Sequence, residues 1–195
     1  MRVSRNGITT ATAHMTTLVL IACAQPDSTA TAQSPNGDPS TTRVEATASF
    51  PISGQAIHYF STAVVHGQDT TETGMVQRST DVIQITGDLT GTVLYHPVSV
   101  FDFAAGTLVN TGIQVFSGTV KGSAPVLLYD DSFRFEVNLN TGETVGEIHL
   151  GRNPYAPPTG GWYECEAFVV STGMTPEGNA MVDYRGTCTA YGNVG

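Results

Sequence analysis

From about Arg43 to its end, the chain is rich in Val, Thr, Tyr, Phe and Ile, and Gly or Asn interrupts it at short intervals. No window in this region places apolar residues at the i, i+3, i+4 and i+7 spacing of an amphipathic helix. Runs of β-branched and aromatic residues between turn-forming residues are typical of antiparallel strands. The sequence therefore predicts an all-β domain over residues 43–195. The expected strands lie near 43–50, 55–65, 74–86, 89–102, 107–120, 123–129, 132–139, 143–150, 161–171 and 180–191.

The last two predicted strands can be paired residue by residue. Between them, Thr175-Pro176-Glu177-Gly178 has Pro and Gly where a β-turn favours them. A hairpin centred on this turn places Cys165 opposite Cys188, at a separation that a disulfide can bridge. The same register pairs Val169 with Tyr184 and makes one face of the hairpin mostly apolar. The sequence predicts a Cys165–Cys188 disulfide, and the alternative is two reduced core cysteines.

A second hairpin, turning at residues 103–106, has apolar residues on both faces of its strands. One face gathers Leu94, His96, Val98, Val100, Val109, Ile113 and Val115. The other holds Val93, Tyr95, Phe101, Leu108 and Phe116 among Ser99, Asn110 and Gln114. We expect a barrel interior to cover one face, and the N-terminal strands or a neighbouring subunit to cover the other. A third hairpin is predicted to turn at Asn140-Thr141-Gly142.

The N-terminal segment has the parts of an export signal over residues 1–23, with two arginines before a short apolar run. Leu20-Ile21-Ala22-Cys23 resembles a bacterial lipobox, which would make Cys23 a lipidation site. Ala22-Cys23-Ala24 also fits ordinary signal-peptide cleavage after Ala24. A disordered tail on a cytosolic protein is the third alternative. Residues 24–42 are small and polar, and they predict a flexible linker ahead of the barrel domain.

Charge and cysteine content limit the partners and the compartment. The net charge is −9 and Lys121 is the single lysine, so nucleic acid is an unfavourable partner and a membrane is expected to hold the protein only through a lipid anchor. Both export hypotheses use Cys23 and leave an even pair, Cys165 and Cys188, which favours a disulfide in an exported chain. We expect a periplasmic or cell-surface protein, either anchored or secreted.

Candidate chemistry is sparse. His96 lies on an apolar strand face, where an imidazole can act as an acid or base, although lone buried histidines also serve as structural residues. Asp130-Asp131 is a carboxylate pair, but such a pair between strands is usually a solvated turn. The loop from Tyr155 to Trp162 is either a lid or a rigid connector. No metal-ligand spacing and no nucleotide-binding or nucleophile motif is present, so no metal or cofactor is predicted.

Several glycine-rich segments give the chain a family resemblance. ITGDLTGTVLYHP, FSGTVKGS, and a GW pair followed by STGMTPEGNAMVDYRGTCTAYG resemble the allene oxide cyclase-like and dirigent-like β-barrels over residues 75–191. The resemblance implies a single calycin-like antiparallel barrel of about eight strands with an apolar cavity, and a possible homo-trimer. It carries no catalytic residue onto this sequence.

Three functions follow as hypotheses. The first is an exported, lipid-anchored barrel that binds a small hydrophobic molecule, with Tyr95, His96, Tyr129 and Trp162 as candidate ligand contacts. The second is an isomerase or cyclase that holds a hydrophobic substrate in a productive conformation, with His96 or a tyrosine as the candidate proton-transfer group. The third is a surface module that binds protein partners or its own copies.

Overall fold

The computed structural model describes residues 44–154 and 160–194. Their regular structure consists of nine strands: β1 (Ala46–Thr70), β2 (Gly74–Gly87), β3 (Leu89–Asp102), β4 (Thr107–Val120), β5 (Val126–Asp130), β6 (Arg134–Asn138), β7 (Thr144–Leu150), β8 (Trp162–Met174) and β9 (Ala180–Tyr191). The predicted signal segment with Cys23, the linker 24–42 and loop residues 155–159 lie outside the described residues.

The sheet closes on itself. Following neighbours, its order is β3, β2, β1, β9, β8, β7, β6 and β4, and β3 also pairs with β4. Every pairing is antiparallel, and β5 is an additional strand that pairs with β4 beyond the segment used by β6. The structure therefore confirms the predicted all-β fold, a single eight-stranded antiparallel barrel.

The first strand differs from the prediction. Two strands were expected at 43–50 and 55–65, and the structure has one strand from Ala46 to Thr70. Pro51 and Gly54 look like a break in the sequence, because both residues weaken a strand. They remain in the strand because β9 pairs along this stretch as far as His58, and β2 pairs from Gly54 onward.

The predicted hairpin registers are confirmed. Cys165 lies opposite Cys188 in the β8–β9 ladder and is bonded to it. In the β3–β4 ladder, Val93 lies opposite Phe116, as the second hairpin requires. The β6–β7 turn lies at residues 139–141, one residue before the predicted turn at Asn140–Gly142. Local turn chemistry and strand alternation therefore suffice to align these strands.

The barrel interior takes only one of the two apolar faces of β3 and β4. Val93 and Tyr95 are buried inside the barrel, whereas Leu94 points outward and is 43% exposed. Val100 and Ile113 are exposed on the same outer face. The prediction that the N-terminal strands cover this outer face is wrong, because β1 forms part of the barrel wall between β2 and β9. Cover by a neighbouring subunit, including a homo-trimer, stays a prediction.

One end of the barrel is filled with packed side chains. Leu89, Phe116 and Val120 are buried there with the Cys165–Cys188 disulfide. Leu89 also donates its backbone N–H to the Tyr184 hydroxyl at 2.8 Å. This packing closes one end, while the hairpin turns after β1, β3, β6 and β8 lie at the other.

Asp130 is a buried structural carboxylate. The sequence suggested a solvated turn at Asp130-Asp131, and this is wrong for Asp130, which is 1% exposed. Its Oδ2 accepts hydrogen bonds from Gln114 Nε2 and the His149 backbone N–H, both at 2.8 Å. Its Oδ1 accepts from the backbone N–H and hydroxyl of Ser132. These hydrogen bonds join β4 and β7 to the connection between β5 and β6. They also offset the cost of burying the carboxylate.

Candidate functional site

The barrel interior holds a cavity of about 490 Å³. All eight strands of the closed ring contribute to its wall. The lining reaches Gly142 in the connection between β6 and β7 and Met174 at the end of β8, so the cavity extends toward the hairpin end. Its apolar lining includes Ala56, Ile83, Ile85, Val93, Leu108, Phe135, Val137, Val169 and Val182.

A polar cluster interrupts this apolar wall. Asp81 on β2 is 5% exposed, and its Oδ2 lies 3.6 Å from His58 Nε2 on β1. Ser79 donates its hydroxyl to the same Oδ2 at 3.1 Å. All three residues line the cavity. Their side chains converge because residues two apart on β2 share a face and β1 is the neighbouring strand.

Tyr95 adjoins this cluster from β3, where it lies opposite Asp81 in the β2–β3 ladder. Its ring centroid is 5.4 Å from that of His58 and 4.9 Å from that of Phe133. Burial raises the pKa of Tyr95 well above its usual value near 10, and the negative charge of Asp81 adds to the shift. The Tyr95 hydroxyl therefore stays protonated beside the carboxylate at neutral pH.

An irregular segment of β1 adjoins the cluster. The β1–β2 register shifts between Tyr59 and Val64, and Phe60 and Ala63 from this segment line the cavity. Thr62 holds the segment in place, because its Oγ1 accepts the Val82 backbone N–H at 2.9 Å. Such bulges re-aim side chains and are common beside functional sites.

Three buried polar atoms of the cavity wall have no hydrogen-bond partner within the described part of the chain. They are His58 Nε2, Asp81 Oδ1 and Asn110 Oδ1. Buried polar groups in folded proteins are nearly always paired, because an unpaired one costs free energy. Unpaired polar atoms in the wall of an apolar cavity are available to bind a polar group of a ligand.

The structure brings one of the four predicted ligand contacts to the cavity. Tyr95 lines it, whereas His96, the next residue on β3, points to the outer face. There His96 Nδ1 lies 2.9 Å from Thr80 Oγ1, which is also 2.7 Å from His66 Nε2. The expected cavity position of His96 is therefore wrong, because the barrel closes around the opposite face of β3.

Tyr129 and Trp162 also lie outside the cavity lining. Tyr129 on β5 pairs through its backbone with Gly151. The Trp162 indole stacks on Tyr191 at 5.0 Å between centroids, and the Arg152 guanidinium lies 5.3 Å from the indole ring. Trp162 thus packs near the start of β8, and most of the loop considered as a lid lies outside the described residues.

Neither Asp81 nor His58 was among the candidate site residues predicted from the sequence. A signal for Asp81 was available, because Ser79 and Asp81 share strand parity with Ile83 and Ile85. A carboxylate on the same face as buried isoleucines indicates either a strand end or an interior polar site. No comparable local signal marks His58, since its proximity to Asp81 depends on the β1–β2 pairing.

A second depression, of about 610 Å³, lies on the outer surface and is lined in part by exposed residues of β1 and β9. Three of its four charged side chains, those of Asp88, Lys121 and Asp183, already have partners. Lys121 Nζ lies 3.8 Å from Asp88 Oδ1, and Asp183 accepts a hydrogen bond from Gln55 at 3.1 Å. The interior cavity is the better candidate, because its unpaired polar atoms are enclosed by an apolar wall.

In ranges 44–154 and 160–194, no group of three or more His, Cys, Asp or Glu side chains is placed to hold a metal ion. The same ranges contain no helix long and apolar enough to cross a membrane. The Cys165–Cys188 disulfide indicates an oxidising, non-cytoplasmic environment, because cytosolic thiols are kept reduced.

Comparison of the chain with protein-family models, curated proteins and solved structures finds no match. The resemblance to allene oxide cyclase-like and dirigent-like barrels therefore stays a prediction, and the candidate site rests on the geometry of this chain alone.

Proposed function

We propose that this protein binds a small, predominantly apolar molecule inside its barrel. The supporting observation is the interior cavity of about 490 Å³, which has apolar side chains around a few buried polar groups. Ligand sites in proteins typically measure about 300–1,000 Å³ and have this composition. A barrel filled completely by its own side chains would leave no such space.

We further propose that the protein works outside the cytoplasm on a lipid anchor. The lipobox-like Leu20-Ile21-Ala22-Cys23 supports an anchor at Cys23, and the small polar residues 24–42 suit a spacer between anchor and barrel. The disulfide supports an oxidising compartment. Intact mass of protein recovered from a bacterial envelope tests this proposal. A diacylated mass beginning at Cys23 is expected, whereas cleavage after Ala24 without lipid contradicts the anchor.

Binding can be tested with a neutral fluorescent probe and a matched pair of variants. Leu108 lines the cavity, whereas Val109, the next residue on β4, faces outward. We expect saturable enhancement of Nile red fluorescence with the unmodified protein. Leu108→Trp should weaken this binding by filling the cavity, and Val109→Trp should leave it unchanged. Absence of saturable binding, or equal loss in both variants, would contradict the proposal.

The natural ligand can be sought separately. Native mass spectrometry of the folded protein after exposure to a cell extract should detect a retained small molecule. Retention should be lost in Leu108→Trp and kept in Val109→Trp. A molecule retained equally by both variants is bound elsewhere.

A second candidate function is that of an isomerase or cyclase. The His58–Asp81 pair favours it, because titratable groups within an apolar cavity are suited to proton transfer. Incubation of a molecule recovered from the extract should then give a product of equal mass and altered chromatographic retention. Asp81→Asn should abolish the change while the protein stays folded. An unaltered molecule after prolonged incubation would leave binding alone.

A further inference from the structure

We infer that the ligand is a hydrophobic amine, held through its protonated nitrogen by Asp81. This inference rests on the proposed binding function and adds the chemical class of the ligand. Its basis is the charge, the unpaired acceptors and the aromatic groups of the cavity wall.

Charge favours a cation. Among the described residues, Asp81 is the single carboxylate lining the cavity, and no lysine or arginine lines it. His58 is the one imidazole there, and its Nε2 approaches Asp81 Oδ2 only to 3.6 Å. A fatty acid or other anion would face a buried carboxylate whose one basic neighbour in the wall, His58, makes no hydrogen bond to it, and this opposes binding. An ammonium group instead supplies a permanent opposite charge together with hydrogen-bond donors.

The unpaired atoms favour a hydrogen-bond donor. Of the three atoms without a partner in the described structure, two are acceptors, Asp81 Oδ1 and Asn110 Oδ1, and the third is the imidazole nitrogen His58 Nε2. Asp81 Oδ2, by contrast, already accepts from the Ser79 hydroxyl. An ammonium group carries only donors, whereas an alcohol supplies a single one. A protonated amine therefore satisfies the unpaired Asp81 Oδ1 better than a carbonyl, an ether or an alcohol.

The aromatic rings of the cavity wall also favour a cation. His58, Phe60, Tyr95 and Phe135 all line the cavity. The His58 ring lies 4.7 Å from that of Phe60, and the Tyr95 ring lies 6.1 Å from that of Phe135. The faces of Tyr and Phe rings attract cations, most strongly where water is excluded, and Tyr95 is only 2% exposed. The aliphatic residues deeper in the wall then suit the hydrocarbon part of the ligand.

The test uses three probes with the same alkyl chain and different polar groups: octylammonium, octanol and octanoate. Isothermal titration calorimetry on the full chain should rank octylammonium first. Asp81→Asn should weaken octylammonium binding by about 10- to 100-fold, the usual effect of losing a hydrogen bond to a charged group. The same variant should leave octanol binding nearly unchanged. Asp131→Asn is the matched control, because it removes an equal charge at an exposed position outside the cavity.

The outcomes separate the two proposals. Equal affinity for the three probes, or a preference for octanoate, would overturn the amine assignment and leave hydrophobic binding intact. Octylammonium bound equally by the unmodified protein and a folded Asp81→Asn variant would overturn it too. Should Asp81→Asn fail to fold, the ranking of the three probes on the unmodified protein decides the assignment. No binding of any probe, together with no Nile red binding, would refute the proposed function itself.

Discussion

Replacing Asp130 with asparagine should destabilise the barrel far more than the same change at Asp131. Asparagine offers one acceptor oxygen where the Asp130 carboxylate uses two. If the asparagine NH₂ takes the place of Oδ1, the Ser132 backbone N–H has no acceptor. If it takes the place of Oδ2, the His149 backbone N–H has none. Either orientation also removes the negative charge that strengthens the remaining bonds, including the one from Gln114.

The expected loss is about 3 kcal/mol of unfolding free energy. An unpaired buried donor costs about 1–3 kcal/mol, and weakening of charge-assisted bonds adds a similar amount. For a domain of this size such a loss lowers the melting temperature by about 6–12 °C. Asp131 is exposed, and substitution there should change stability by less than about 0.5 kcal/mol.

Urea unfolding of the full chain, followed by circular dichroism, measures both variants under one condition. The midpoint should fall in Asp130→Asn with little change in the slope of the transition. A loss below about 1 kcal/mol, or equal losses in the two variants, would show that this hydrogen-bond network does not hold the break between β5 and β6.

Three further predictions concern the disulfide, an interior tyrosine and a strand glycine. Replacing both Cys165 and Cys188 with alanine should cost about 3 kcal/mol for a sequence separation of 23 residues; an unchanged melting temperature would contradict this. Burial raises the pKa of Tyr95, so this tyrosine ionises at lower pH in the unfolded chain than in the folded one. Its contribution to the free energy of unfolding should therefore be constant below pH 10 and should fall above it by about 1.4 kcal/mol per pH unit. Urea midpoints between pH 8 and 11 should fall less steeply in Tyr95→Phe, and parallel profiles would refute the assignment. Gly186→Ala should destabilise the protein by about 1–3 kcal/mol, because the added Cβ would clash with the backbone of β8. Gly67→Ala is the control, because a Cβ at position 67 would point into open space. Equal unfolding midpoints for the two variants would contradict this prediction.

Hairpin register was predictable because its determinants are local. The turn at Thr175–Gly178 and the alternation of the flanking strands aligned Cys165 with Cys188, and the structure has this alignment. The β3–β4 register followed from the same reasoning. Where a local signal favoured a break, at Pro51 and Gly54, the prediction failed because pairing with neighbouring strands kept β1 extended.

The site was less predictable because it depends on which face of each strand turns inward. On β3 the two faces are similarly apolar, so alternation alone does not distinguish Tyr95 from His96 as the inward residue. The choice is made when the sheet curves and closes through the β3–β4, β4–β6 and β1–β9 ladders. The burial of Asp130 was not predicted for a related reason, because two of its hydrogen-bond donors come from β4 and β7.

By itself, the sequence determined an all-β chain, its hairpin registers and the pairing of its cysteines, because neighbouring strands are aligned by turns and a two-residue period. Tertiary structure alone decided which apolar face became the interior and brought His58, Asp81 and Tyr95 together in a cavity. The physical reason is that closure joins strands distant in sequence, and the curvature of the closed sheet, which no local pattern encodes, assigns each side chain to the inside or the outside.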